Sequence, residues 1–137
     1  MLEIEERLLA KGITVPDIVE TAMALRIPGG YGPRGTAGAL AGTISAALRD
    51  PDIASLLLGA ILLEDENCIR HYSDIPGDGD GPIGIAIAEM IGGDRARFEF
   101  NRYETAKPGI LSALGPVLDN AVTGLIAGCT SLLSECV

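Results

Sequence analysis

The sequence predicts an all-α fold, a single compact bundle of about six to seven helices around one nearly all-apolar helix. Three observations carry that prediction. Apolar residues recur every three or four positions rather than every two, helix-start residues stand immediately before these runs, and no segment alternates apolar with polar residues as a half-buried strand would. No internal repeat interrupts the pattern, and the whole 137-residue chain is read as one domain.

The elements follow in order. The opening segment, 2–10, is the first helix. Thr14-Val-Pro-Asp17 supplies a cap with an acid three residues on, so a second helix runs over 16–26. Thr36 precedes an alanine-rich run in which Leu40, Ile44 and Leu48 share a face, which predicts helix 36–49. Asp50-Pro51 places a cap and then proline in a first turn, and Ile53, Leu57 and Ile61 continue the helix over 51–68. Ile83, Ile87, Met90 and Ile91 define 82–93. The stretch 94–115 is less regular and only partly helical. Gly115-Pro116 then starts a helix over 116–133 on the spacing of Val117, Ala121 and Leu125. Turn-rich breaks fall at 27–35 and 72–82. Many of the 18 glycines lie inside apolar runs, where they would let helices pack closely at a small cost in propensity.

Composition excludes several function classes. Ten Lys and Arg against 19 Asp and Glu give a net charge of −9, yet 47% of residues are hydrophobic, too many for a disordered acidic chain. There is neither a basic footprint nor, with no Trp, three Tyr and two Phe, an aromatic platform, so nucleic acid is not the expected partner. The longest uncharged apolar stretches, 37–48, 53–63 and 121–134, fall short of the ~18 residues of a membrane span and read as core helices. The acidic N-terminus reads as mature sequence, and the unpaired spacing of Cys68, Cys129 and Cys136 reads as reduced thiols in a cytoplasmic protein. An apolar chain of this size with glycine- and alanine-rich helices is expected to form a homo-oligomer, a dimer in the simplest case.

Several residues invite a chemical reading beside a plainer one. Gly30-Tyr-Gly32-Pro-Arg-Gly35-Thr36 has G-x-G-x-x-G spacing, but it lacks the preceding strand of a dinucleotide site and the lysine of a P-loop, so it reads as a loop closed by a cap. The run around Asp78 and Asp80 does not fit a calcium loop, since aligning Gly81 with the turn glycine puts Pro76 and Ile87 at ligand positions. It leaves Asp80 before an apolar helix, as an N-cap or a metal ligand. Glu89 is the one charge on that helix, and it is either a buried carboxylate needing a partner or part of a solvated stripe. His71, the sole histidine, reads as a surface residue. Asp119-Asn120 stands in a first helical turn, favoured there by the dipole, while Arg102, Glu104 and Lys107 precede a Pro-Gly turn. Carboxylates for a hard cation and cations for a phosphate therefore occur in one part of the chain, which is the combination that metal-assisted phosphoryl chemistry uses.

Taken in order, Asp80, then Gly84-Ile-Ala-Ile-Ala-Glu89, then Arg102-Tyr-Glu104-Thr-Ala-Lys107-Pro-Gly, then Asp119-Asn120-Ala-Val-Thr-Gly124 resemble the phosphatidylglycerophosphatase A superfamily. The nearest branch is its small soluble archaeal members, the α-ribazole phosphatases of cobalamin nucleotide-loop assembly. The resemblance covers most of the chain and is strongest from Asp80 to Gly128. It implies a multihelical bundle and Mg²⁺-dependent removal of a phosphate from a small phosphorylated metabolite, with α-ribazole 5′-phosphate as the specific candidate. It further implies that Asp80, Glu104 and Asp119 hold the metal, that Asp80, Asp119 and Lys107 are catalytic, and that Arg102 and Lys107 bind the phosphate, with Glu89 and Asn120 as additional candidates. Three positions depart from the family pattern. Gly81 and Asn120 stand where the family has acids, and Glu104 stands where it usually has Asp. Two lost carboxylates weaken a Mg²⁺ site, so the resemblance also admits a second reading, a catalytically degenerate paralogue serving as a ligand-binding or oligomeric scaffold.

Overall fold

The computed structural model describes residues 2–25, 37–66 and 82–134, and it is all-α. Seven α-helices occur among the described residues: α1 (Glu3–Ala10), α2 (Val15–Ala24), α3 (Ala37–Leu48), α4 (Pro51–Asp65), α5 (Pro82–Gly92), α6 (Ala96–Ala106) and α7 (Pro116–Ser134). A 3₁₀ turn over Gly109–Ala113 joins the last two. The candidates at Asp80, Asp78, Gly81, His71, Cys68 and Cys136, and the loop Gly30 to Thr36, lie outside the described residues.

Local chemistry starts most of these helices where the spacing places them. Thr14 accepts from the Asp17 amide while Asp17 accepts from the Thr14 amide, a reciprocal capping box at the start of α2. Asp50 accepts from the Asp52 amide, and Pro51 follows at the first helical position of α4. The stretch 94–115 is more ordered than its irregular composition suggests, because Ala96, Phe100 and Tyr103 are buried at helical spacing and fix α6.

α7 is the centre. It packs most extensively on α5, then on α6 and α4, and with smaller contacts on α2 and α3. Val117, Ala121, Leu125, Ile126 and Cys129 are fully buried, so the helix is covered on nearly all sides, as an all-round apolar helix must be. As folded, α7 exceeds the uncharged stretch 121–134, because its N-terminal turn carries Asp119. Its window Pro116–Leu133 reaches the length of a membrane span at mean hydropathy 1.3, but 89% of that window is buried inside the bundle. Burial of Cys129 pushes its thiol up to about 12, so it behaves as a small core hydrophobe.

The crossing of α5 with α7 depends on glycine. A Cβ on Gly124 would lie 2.1 Å from the Gly84 carbonyl oxygen, and one on Gly128 would lie 2.7 Å from Ile91 Cβ. Gly84, Ala88 and Gly92 fall four residues apart along α5, as do Gly124 and Gly128 along α7, so each helix offers one small-residue face and the backbones meet. This close approach holds the first turns of α5 and α7 beside each other, where the polar candidates lie.

Candidate functional site

The site begins with how α6 ends. Lys107 has φ 45° and ψ 56°, the one non-glycine residue with positive φ among the described residues. For an L-residue with a Cβ that conformation costs about 1–2 kcal/mol. Three features hold it there. The Lys107 amide donates to the Tyr103 carbonyl at 2.8 Å, closing the helix. Pro108 follows and disfavours a right-handed helical conformation at Lys107. Beyond it, the Ile110 amide donates to Thr21 Oγ1 at 3.2 Å, while Thr21 itself donates to the Asp17 carbonyl at 2.9 Å. Gly109 sits so close that a Cβ on it would be 2.5 Å from Thr21 Oγ1. Buried Thr21 on α2 therefore fixes the turn that ends α6.

From this left-handed cap, the Lys107 side chain runs to the first turns of α7. Its Nζ donates to Asp119 Oδ2 in a close ion pair and to Glu104 Oε1 at 3.1 Å. The Asp119 side chain is 8% exposed and that of Lys107 39%, so the ammonium links a nearly buried carboxylate to solvent. Thr123 Oγ1 donates to Asp119 Oδ1 at 3.4 Å, one turn on. Burial alone would lower the Lys107 pKa, but hydrogen bonds and charge from Asp119 and Glu104 outweigh it and raise the value above the ordinary 10.5. Two carboxylates thus converge on one cationic group.

The remaining candidates have other partners. Asn120 Oδ1 accepts from the buried Gly84 amide at 2.8 Å, so this residue of α7 caps the N-terminus of α5. A Cβ on Gly84 would be 2.6 Å from that oxygen, which ties the Asn120 contact to the glycine crossing. Arg102 is tied through Nη1 to both carboxylate oxygens of Glu99, at 2.9 and 2.8 Å, and through Nη2 to the Leu25 carbonyl. It anchors α6 to the end of α2. Glu89 pairs with Arg97, Nε to Oε1 at 2.9 Å, across the turn at Gly93 between α5 and α6. Both partners are substantially exposed, so Glu89 belongs to the solvated stripe. The structure accordingly brings together Glu104, Lys107 and Asp119, sets Asn120 beside them, and gives Arg102 and Glu89 different work.

Among the described residues no three His, Cys, Asp or Glu side chains converge as a metal-binding group. The donors that do converge, Glu104 and Asp119, are hard carboxylate oxygens, and Mg²⁺ is commonly held by one or two carboxylates with water and substrate phosphate completing its shell. Carboxylate oxygens are the donor type that ion takes, and both of these carboxylates are paired with the Lys107 ammonium.

Two residues that matter to this arrangement carry no chemical motif. Thr21 is one. Glu64, on the last turn of α4, is the other: its Oε1 accepts from the Val117 amide at 2.7 Å and from the Leu118 amide at 3.0 Å. The one sequence hint is that Gly115-Pro116 starts a helix with no side chain able to cap it.

An uncharacterized protein of Methanocaldococcus jannaschii, MJ1330, is 40% identical to this chain over 98 residues, spanning 64% of the chain and 77% of that protein. The chain belongs to the same family as this archaeal protein. No family model matches the chain. No solved structure matches it. The family relationship identifies kin and no activity, so a functional reading rests on the residues themselves.

Proposed function

We propose that the protein is a Mg²⁺-dependent phosphatase acting on a small phosphorylated metabolite, with α-ribazole 5′-phosphate as the first candidate. The observation that carries this reading is the convergence of Glu104 and Asp119 on Lys107, whose left-handed backbone is maintained at a cost. Strain of this kind persists where the surrounding structure over-determines it, and Thr21, Gly109 and the Tyr103 carbonyl all constrain this turn. In this reading Lys107, the most exposed of the three, binds a phosphate oxygen as a point charge. Asp119 and Glu104 would hold the divalent ion, with Asp80, which lies outside the described residues, as the third acid that the resemblance implies, and the charge of Asp119 and Glu104 keeps Lys107 protonated and oriented. When bound, Mg²⁺ supplies neutralisation of phosphate charge and activation of the attacking water. The reaction breaks the ester P–O bond, water oxygen joins phosphorus, and the leaving alcohol takes a proton. Arg102, held by Glu99 and Leu25, has a supporting role through α6.

At Asn120, where the family pattern has an acid, the side-chain oxygen has a structural role, capping α5 through the Gly84 amide. The test is phosphate release from α-ribazole 5′-phosphate, phosphatidylglycerophosphate and an aryl phosphate, with Mg²⁺ and with chelator. Chelator-sensitive release from a substrate, reduced at least about a hundredfold by Asp119→Asn, is expected. Folded protein that releases phosphate from none of them in excess Mg²⁺ would sink the proposal and leave the scaffold reading.

A further inference from the structure

The geometry points to Glu64 as a positioning residue, one that sets the first turn of α7 so that Asp119 meets Lys107. The first amides of any α-helix lack partners within the helix. Pro116 has no N–H to satisfy, but Gly115 at the cap position has no side chain to receive the amides that follow, those of Val117 and Leu118. Glu64, from the end of α4 and more than fifty positions earlier in the chain, fills that role. A single oxygen, Oε1, accepts from both Val117 and Leu118, at 2.7 and 3.0 Å. Its carboxylate also lies at the positive end of the α7 dipole, where negative charge is favoured.

The fit around that carboxylate is tight. A Cβ on Gly115 would be 2.5 Å from each Glu64 carboxylate oxygen, so any side chain at 115 would make the carboxylate shift. Asp119 follows immediately. Its own amide makes the first intrahelical bond of α7, to the Gly115 carbonyl at 2.8 Å. The residue that binds Lys107 is therefore attached to the turn that Glu64 holds, and Glu64 touches neither Lys107 nor any reacting group in doing so. Freed of Glu64, the turn would fray and the Asp119 carboxylate would no longer be fixed before the ammonium.

This inference rests on the reading of Lys107 and Asp119 given above for its functional meaning, but its test needs no substrate. In the 137-residue chain labelled with ¹⁵N, the Lys107 ammonium signal, identified by its loss in Lys107→Met, reports hydrogen exchange at Nζ. Exchange slower than that of surface lysines is expected in the unaltered chain. Glu64→Ala should speed it about tenfold, the scale of one lost charge-assisted contact. Glu64→Gln, which retains an Oε1 acceptor, should stay within about twofold. Gly115→Ala should reproduce Glu64→Ala by displacing the carboxylate, and it tests the idea even if the first variant folds poorly. Ile53→Val, a core change in α4 with no part in this contact, should lower thermal stability and leave Lys107 exchange unmoved. An unprotected Lys107 in the unaltered chain, unchanged exchange in Glu64→Ala and Gly115→Ala, or Glu64→Gln behaving like Glu64→Ala would each overturn the inference. A phosphatase assay that fails leaves this result standing, and an active enzyme whose Lys107 exchange ignores Glu64 refutes it alone.

Discussion

Gly42 in α3 and Gly59 in α4 face open space, with nothing within 4 Å of where a Cβ would stand, whereas Gly84, Gly92, Gly124 and Gly128 in α5 and α7 are pressed against a neighbouring helix. The two regions use one residue type for opposite ends. In α3 and α4 packing is done by large side chains, Leu40, Ile44, Ile53 and Leu57, which keep the helix backbones apart. In α5 and α7 the backbones themselves touch at Gly84 and Gly124, where room for a side chain would require separating the helices. The polar candidates lie beside the rigid region: Asn120 binds the Gly84 amide, and Asp119 is its neighbour in the chain. Precision in placing a carboxylate is therefore greatest where the packing is least forgiving.

The strongest way to break that contrast is Gly124→Val. Its Cβ would stand 2.1 Å from the Gly84 carbonyl oxygen and 2.7 Å from the Gly84 carbonyl carbon, both backbone atoms. Overpacking ordinarily costs about 1–3 kcal/mol, and a backbone clash of this depth should exceed the upper figure or abolish folding. Urea unfolding measures it. A variant that unfolds within error of the unaltered chain would show that the crossing is not as tight as described.

A smaller effect, of opposite sign, is expected in the other region. Gly59→Ala and Gly42→Ala place a methyl group in open space within helices and restrict the unfolded chain, so each should stabilise by about 0.5–1 kcal/mol. Their sum should be nearly additive if the two glycines are independent. Loss of stability in either would mean that α3 or α4 also needs its glycine for close packing.

The same contrast explains what could be read in the sequence. Helical periodicity identifies α3, α4, α5 and α7, because burying a stripe of large apolar residues leaves a regular trace. It is weaker for α6, where Ala96, Phe100 and Tyr103 carry the burial amid charged residues and the spacing alone survives. Residue types supply Glu104, Lys107 and Asp119 as a chemically sensible set, but type does not give direction. Lys107 reaches Asp119 because its backbone is left-handed at the Pro-Gly turn, and Arg102 on the same helix is drawn instead to Glu99 and Leu25. Glu64 and Thr21 were illegible for a related reason. Each acts on backbone amides distant in the chain, at Val117 and Leu118 or at Ile110, and such contacts leave no local pattern.

The smallest effect concerns Lys107, the cationic group that pairs with Asp119 beside the crossing. Lys107 has a pKa above the ordinary 10.5, with burial opposing the shift and the Asp119 and Glu104 carboxylates producing it. A folded-state pKa that lies above the unfolded value means that the protonated group favours the folded state. Its contribution is complete below pH 10.5 and declines as pH rises through the folded value. Solvent reaches Lys107, so the contribution is modest. The difference in unfolding free energy between the unaltered chain and Lys107→Gln should accordingly be constant from neutral pH to about 10.5 and shrink above it. Subtracting the variant removes the titration common to the other lysines. A difference that stays flat through the alkaline range would show that Asp119 and Glu104 do not hold this ammonium, and the tight glycine crossing would then carry no comparable precision into the polar group beside it.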